Sequence, residues 1–202
     1  QNLRTIDTGV ALDNLVTFQI APALSGYDRE RGTLVYRQIL ERLRAAPGIR
    51  AAGVATVAIL SGNEWDSTMG VEGHRPQDGE DMQAFMNALS PGYFEAMRIP
   101  FQEGRDFRDS DAKETSTVAI VNRKFANHFF PKGTAIGKKV GFGTGPGSQL
   151  NIEIIGVVAD SLYEGPREGV RRQVFLPKWG NNSGAFYVRT SQASSSAFQI
   201  IR

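Results

Sequence analysis

Glu64 and Asp66 flank Trp65, and carboxylates two residues apart share one face wherever the chain is extended. Such a pair beside an aromatic ring suits sugar chemistry, one group acting as acid and the other as base or nucleophile. With His74 close by in the sequence, it is the one arrangement here from which a secreted hydrolase could be built. Other apparent chemistry fails on spacing. His74 and His128 are the only histidines, and neither has a second histidine or a carboxylate at ligand spacing on the same helix. Asp106, Asp109 and Asp111 suggest a calcium loop whose glycine and closing glutamate are missing. The segment 133–139 has Lys132 where a phosphate loop begins with glycine, and Lys139 where that loop needs a hydroxyl. It reads as a turn leading to a strand. The glycine-rich 143–147 has no strand leading into it and no helix opening after it, and reads as a hairpin tip. Zero cysteines remove disulfides, thiolate metal sites and cysteine nucleophiles together. The residues themselves therefore point to no catalytic group, no cofactor and no metal, with the Glu64/Asp66/His74 arrangement the only chemistry left open.

The elements that would position these groups follow from composition and periodicity. The 202 residues are 41% hydrophobic and 22% charged, enough apolar content for one large or two small folded domains. A net charge of +2 gives no electrostatic footprint for nucleic acid, and no basic–aromatic interleaving supports one. The longest mostly apolar run, 51–60, is well short of the ~20 residues of a membrane helix. Alternation predicts a strand over 15–20. Asp28 caps a predicted helix running to about Ala46, with Val35, Tyr36, Ile39, Leu40 and Leu43 in one stripe and Pro47-Gly48 as its stop. A returning strand over 49–60 completes a βαβ-like unit. Residues 61–84 are polar, with only short strand-like pieces such as 69–71. Ser90-Pro91 predicts a helix start with Ser90 as cap, and Tyr93, Phe94 and Met97 as its apolar face. A strand over 117–121 leads to a helix at about Asn122, closed by Pro131. Strands follow at 151–159, expected to be central, and at 174–176 and 186–189, and a helix begins at 193. The fold class is α+β, with a polar-edged insertion after the first unit.

Several phrases, in order, resemble the extracytoplasmic core domain of MacB/FtsX-type ABC transporter permeases. They are Asn2-Leu3-Arg4 with 15–22, the helix end at 36–43 with Pro47-Gly48-Ile49, and Ser90-Pro91-Gly92-Tyr93-Phe94 through Ile99-Pro100 to Gly104-Arg105-Asp106-Phe107. Val118 to Asn122, Phe129-Phe130-Pro131, Ile136-Gly137-Lys138, 154–160, 174–177 and Val188-Arg189-Thr190 continue the series. Two positions depart from the family: Arg98 stands where glycine is usual, and Arg123 where an acidic residue is usual.

The resemblance implies a split βαβ-based (Porter-like) subdomain formed by 1–60 and 185–202, its second half incomplete. An inserted mixed α/β (Sabre-like) subdomain would span 61–184. It further implies a non-catalytic periplasmic domain of a bacterial inner-membrane protein, with membrane helices beyond Gln1 and Arg202. The ATPase would be a separate or fused cytoplasmic domain. Conformational change would pass to periplasmic substrate or partner proteins, by mechanotransmission, in efflux, export or lipoprotein handling. The implied partners are a second permease protomer in a homodimer, and a periplasmic adaptor protein with an outer-membrane channel. Loops near 63–81 and 143–147 are the expected contact surface. Two other readings stay open at this level: the hydrolase of Glu64, Asp66 and His74, and a small-ligand-binding module with its ligand in a cleft between the subdomains.

Overall fold

A computed structural model describes residues 11–59, 61, 63–112, 117–162, 169–177, 179 and 184–191. The first strand, β1 (Leu15–Ile20), alternates as expected. Asp28 accepts the Arg31 amide at 2.8 Å and opens helix α1 (Arg29–Ala45), which buries Gly32, Tyr36, Leu40 and Leu43 on one face. Strand β2 (Ile49–Ala55) returns but ends before the expected Leu60. The Asn87 side chain explains the early stop: it accepts from the Val57 amide at 3.0 Å and donates to the Val57 carbonyl at 2.8 Å, turning the chain out of the sheet.

The expected βαβ unit is split. Strand β10 (Gly184–Thr190) lies between β1 and β2 and runs antiparallel to both, pairing Val16 with Val188 and Val188 with Ala52. β1 and β2 are thus parallel without touching, and their sheet is completed by the far end of the chain. α1 covers one face, where Phe186 stacks on Phe18 at 4.8 Å and on Tyr36 at 5.4 Å. The Tyr36 hydroxyl donates to the Ile20 carbonyl at 2.6 Å, and burial pushes its pKa up to about 12.

The described strands between β2 and β10 build a second sheet, with two helices packed against it. Its elements are β3 (Asp66–Val71), β4 (Gln83–Ala88), the short helix α2 (Tyr93–Met97), β5 (Phe101–Gly104), β6 (Val118–Asn122), helix α3 (Arg123–Phe129), β7 (Lys139–Phe142), β8 (Ile152–Val158) and β9 (Gln173–Leu176). The order β5-β8-β6-β9-β4-β3-β7 closes on itself because β7 also pairs with β8, through Lys139–Glu153 and Val140–Ile152. Six strands form the ring, and β5 pairs with the other end of β8. Met69, Met86, Val121, Val140, Ile154 and Val174 form its core with Phe125 and Phe129 of α3. β8 is central, as its continuous apolar run predicts. β4 and β5 escape the sequence reading: β4 carries Gln83 and Asn87 among small apolar residues, and β5 is largely exposed. Ser90 does not cap a helix. Gly92 precedes α2, and Ser90 Oγ instead accepts the Val54 amide at 2.8 Å. Residues 2–4 and the helix expected from 193 lie outside the described residues.

Candidate functional site

The structure separates the hydrolase candidates. Glu64 precedes β3, Asp66 opens it, and His74 follows the turn beyond its other end, so the two ends stand apart by about 20 Å of extended chain. Glu64 and Asp66 thus lie at one end of β3 and His74 beyond the other, so the strand does not bring the three hydrolase candidates side by side. His74 meets Glu80 instead, at 2.9 Å, and His128 approaches the same oxygen, Oε1, at 3.6 Å. Sequence spacing conceals this meeting, since one histidine sits in a turn and the other on α3. The Gln77 amide, and after it the two imidazoles, hold the Glu80 carboxyl below its ordinary range against the opposing effect of desolvation. Both rings address one carboxylate oxygen, and among the described residues no group of three or more His, Asp or Glu is placed to hold a metal ion. The aspartates of the apparent calcium loop are engaged separately: Asp106 accepts from the Gly92 and Phe107 amides, and Asp111 pairs with Arg105 at 2.7 Å. Residues 143–147 lie in the connection between antiparallel β7 and β8.

What the chain does assemble is a junction around α2. One face of this helix meets the three-stranded sheet, with Tyr93 edge-on to Tyr187 at 5.2 Å. The other meets the outside of the ring, with Phe94 against Phe175 at 5.2 Å and Phe101 at 5.4 Å. Ala51, Ala55, Ala185 and Tyr187 of one sheet, and Ile120, Val158 and Phe175 of the other, join a single buried cluster through α2. Burial of side chains such as Phe94 and Met97 stabilises this contact by roughly 1.5–3 kcal/mol each. The approach demands glycine: a Cβ on Gly53 would lie 2.4 Å from the Tyr93 Cα, and Gly92, at φ 77°, faces the Ala52 carbonyl. α2 thus packs between the two sheets. A groove of about 440 Å³ remains beside it, lined by Leu12, Leu15, Ala58, Ile59 and Tyr187 among others.

Hydrogen bonds hold α2 at both ends. Arg44 of α1 donates to the Pro91 and Ala52 carbonyls, and Asp106 accepts the Gly92 amide at 3.0 Å. Burial pushes the Asp106 carboxyl up, against those two amides. At the far end Arg189 of β10, 2% exposed, donates through Nε to the Ala96 carbonyl at 2.9 Å. Its other nitrogens reach the carbonyls of Asp13 and, at 2.6 Å, of Ala11, in the segment that enters β1. One side chain therefore ties the entering chain, the central strand and α2. A buried arginine with several fixed carbonyl acceptors in reach is the signal that marks this residue. In the sequence, Val188-Arg189-Thr190 is only part of the family phrase and gives Arg189 no role.

A model of the MacB-like periplasmic core domain family matches residues 1–200. The chain is 30% identical over 79 residues to the uncharacterized ABC transporter permease YknZ of Bacillus subtilis (strain 168), a stretch covering 39% of this chain and 19% of that protein. The match thus spans about a fifth of that relative. Among solved structures, the periplasmic region of MacB from Actinobacillus actinomycetemcomitans aligns with a TM-score of 0.59 at 14% identity, over 98% of this chain and 85% of that one. The extracellular domain of the YknZ transporter from Gram-positive bacteria gives 0.51 at 20% identity, over 81% and 76%. A domain of a putative permease from Porphyromonas gingivalis gives 0.52 at 16% identity, over 93% and 80%. These structures share the mixed α/β fold.

Proposed function

The chain belongs to the MacB-like periplasmic core domain family, and on that premise we propose that it is the extracytoplasmic domain of an ABC transporter permease acting as a non-catalytic coupling module. Residues 1–60 and 185–202 would form its Porter-like subdomain and 61–184 its Sabre-like insertion, with ATP hydrolysed by a cytoplasmic domain, separate or fused. Movement of the membrane stalks in a permease homodimer would enter at the segment before β1 and leave through the ring, acting on periplasmic substrate or on a partner such as an adaptor protein with its outer-membrane channel. The observation that carries this reading is the Arg189 tie, together with the shared core at α2. Elements joined by a common packed core move as one body, because close-packed interiors rearrange between discrete states rather than bend continuously.

The test uses the whole permease. These 202 residues contain no cysteine, so once any cysteine elsewhere in the permease is replaced, spin labels attach only where introduced, on exposed Leu34 of α1 and exposed Asn127 of α3. The distance between them is expected to stay fixed between nucleotide-free and ATP-bound states. A shift in its distribution would show a hinge at α2 and overturn rigid coupling.

A further inference from the structure

Where β4 and β9 begin, α3 runs beside them and a cleft of about 390 Å³ opens. Phe85 of β4, Lys124 of α3, Arg171 before β9, Glu80, Asp81 and Arg172 all line it. Arg172 is neutralised by Asp81 at 2.7 Å, and Glu80 is shared by the two histidines. Lys124 and Arg171 differ: among the described residues, neither has a carboxylate within ion-pair distance. The Lys124 ammonium is positioned by the Val170 carbonyl at 2.6 Å, leaving donors to spare. The Arg171 guanidinium lies 5.6 Å over the half-buried Phe85 ring. Two exposed cations, unpaired with any carboxylate among the described residues, thus stand beside an aromatic surface.

We propose that this cleft binds an acidic peptide segment of a partner protein, its carboxylates on Lys124 and Arg171 and a neighbouring apolar side chain on Phe85. A polyanion fits poorly, because its closely spaced charges would also meet Glu80 and Asp81 in the same cleft, whereas a peptide can set its carboxylates on the two cations alone. Spaced carboxylates with apolar residues between them complement both the cations and the ring. The inference rests on the reading that the inserted ring contacts partner proteins, but its test needs only this chain. Failure would remove the cleft and leave the coupling at α2 untouched.

The isotope-labelled chain is titrated with a blocked pentapeptide of alternating glutamate and leucine, with its glutamine counterpart, and with inorganic phosphate, while amide resonances are followed. The glutamate peptide is expected to shift the amides of Phe85, Lys124 and Arg171 saturably, with the other two ligands leaving them in place. The double variant Lys124→Gln, Arg171→Gln, both at exposed positions, is expected to bind about tenfold more weakly with an unchanged melting temperature. Absence of saturable shifts, equal binding by the glutamine peptide, or full affinity in the double variant would overturn the proposal. Equal shifts with phosphate alone would also overturn it, in favour of a simple anion site.

Discussion

The Arg189 Nε donates to the Ala96 carbonyl at 2.9 Å, joining the central strand of one sheet to the helix that packs against the other. Removing a buried charged donor leaves its acceptors unpaired and opens a cavity, two costs that reinforce each other. Arg189→Ala is expected to destabilise the chain by about 3 kcal/mol in urea unfolding. Arg189→Lys keeps the charge, but one ammonium cannot reach the Ala11, Asp13 and Ala96 carbonyls together, and about 2 kcal/mol is lost. Wild-type stability in the lysine variant would refute the three-way tie.

Arg98 occupies the left-handed region at φ 55°, at the C-terminus of α2, and its guanidinium pairs with Asp13 at 2.9 Å. Glycine would take this conformation without strain but could not make the pair. The pair is exposed and contributes little. Arg98→Ala keeps the strain and loses the pair, so the Arg98→Gly variant is expected to be more stable than Arg98→Ala by about 1 kcal/mol. Thermal unfolding of the two variants side by side decides this, and an alanine variant at least as stable as the glycine one would contradict the strain argument.

Asn122 is fully buried and serves four partners. Its oxygen accepts the Phe125 amide at 3.1 Å and the Gln173 amide at 2.9 Å, while its nitrogen donates to Asp160 and to the Arg171 carbonyl, both at 2.9 Å. It caps α3 and fixes β9 against β6 at once. Asn122→Ala is expected to cost about 3 kcal/mol, more than an ordinary cap, because two buried amides are orphaned. Hydrogen exchange should show the Phe125 and Gln173 amides losing protection together, and independent behaviour would argue against a shared acceptor.

Burial raises the Asp111 carboxyl, but the Arg105 hydrogen bond, the Arg108 amide and both guanidinium charges outweigh it, so its pKa is lowered overall. Glu72, held by the Lys139 amide and Lys138, and Glu80 are lowered as well. A lowered folded pKa contributes stability above the unfolded value, about 4 for these acids, and that stability is lost as pH falls through the folded pKa. Asp106 is raised by burial and has the opposite sign: its cost is present above its folded pKa and relieved on protonation. Stability measured by urea unfolding is expected to fall from pH 5 towards pH 2, as an order-of-magnitude window. Asp111→Asn should make that fall shallower and Asp106→Asn should make it steeper, and the reverse pattern would contradict the assignments.

Local physics made much of the first unit legible. Strict alternation in β1, the Asp28 cap and the Pro47-Gly48 stop act over a few residues, and each lies where expected. The apolar face of α2 and the helix start at about Asn122 were legible for the same reason. β4 was not, because Gln83 and Asn87 look like loop residues until the Val57 backbone and the neighbouring strands supply their partners. The candidate site divides likewise. The phrases around Ser90-Pro91-Gly92 and Arg105-Asp106-Phe107 stood out in the sequence, but their role as the two sides of one clasp depends on the Asp106–Gly92 bond.

The sequence by itself determined the strand–helix–strand order of the first unit, the absence of cysteine chemistry in these residues and, through ordered phrases, the family. Only the tertiary structure decided that β10 fills the gap between β1 and β2, that β7 closes the ring onto β8, and that His74 lies far from Asp66 but against Glu80. Periodicity and capping report on neighbours in the chain, whereas these pairings join residues distant in sequence, and their energy depends on which surfaces meet. The same holds for Arg189. In the sequence it is one arginine among several, and only burial beside the carbonyls of Ala11, Asp13 and Ala96 makes it a tie.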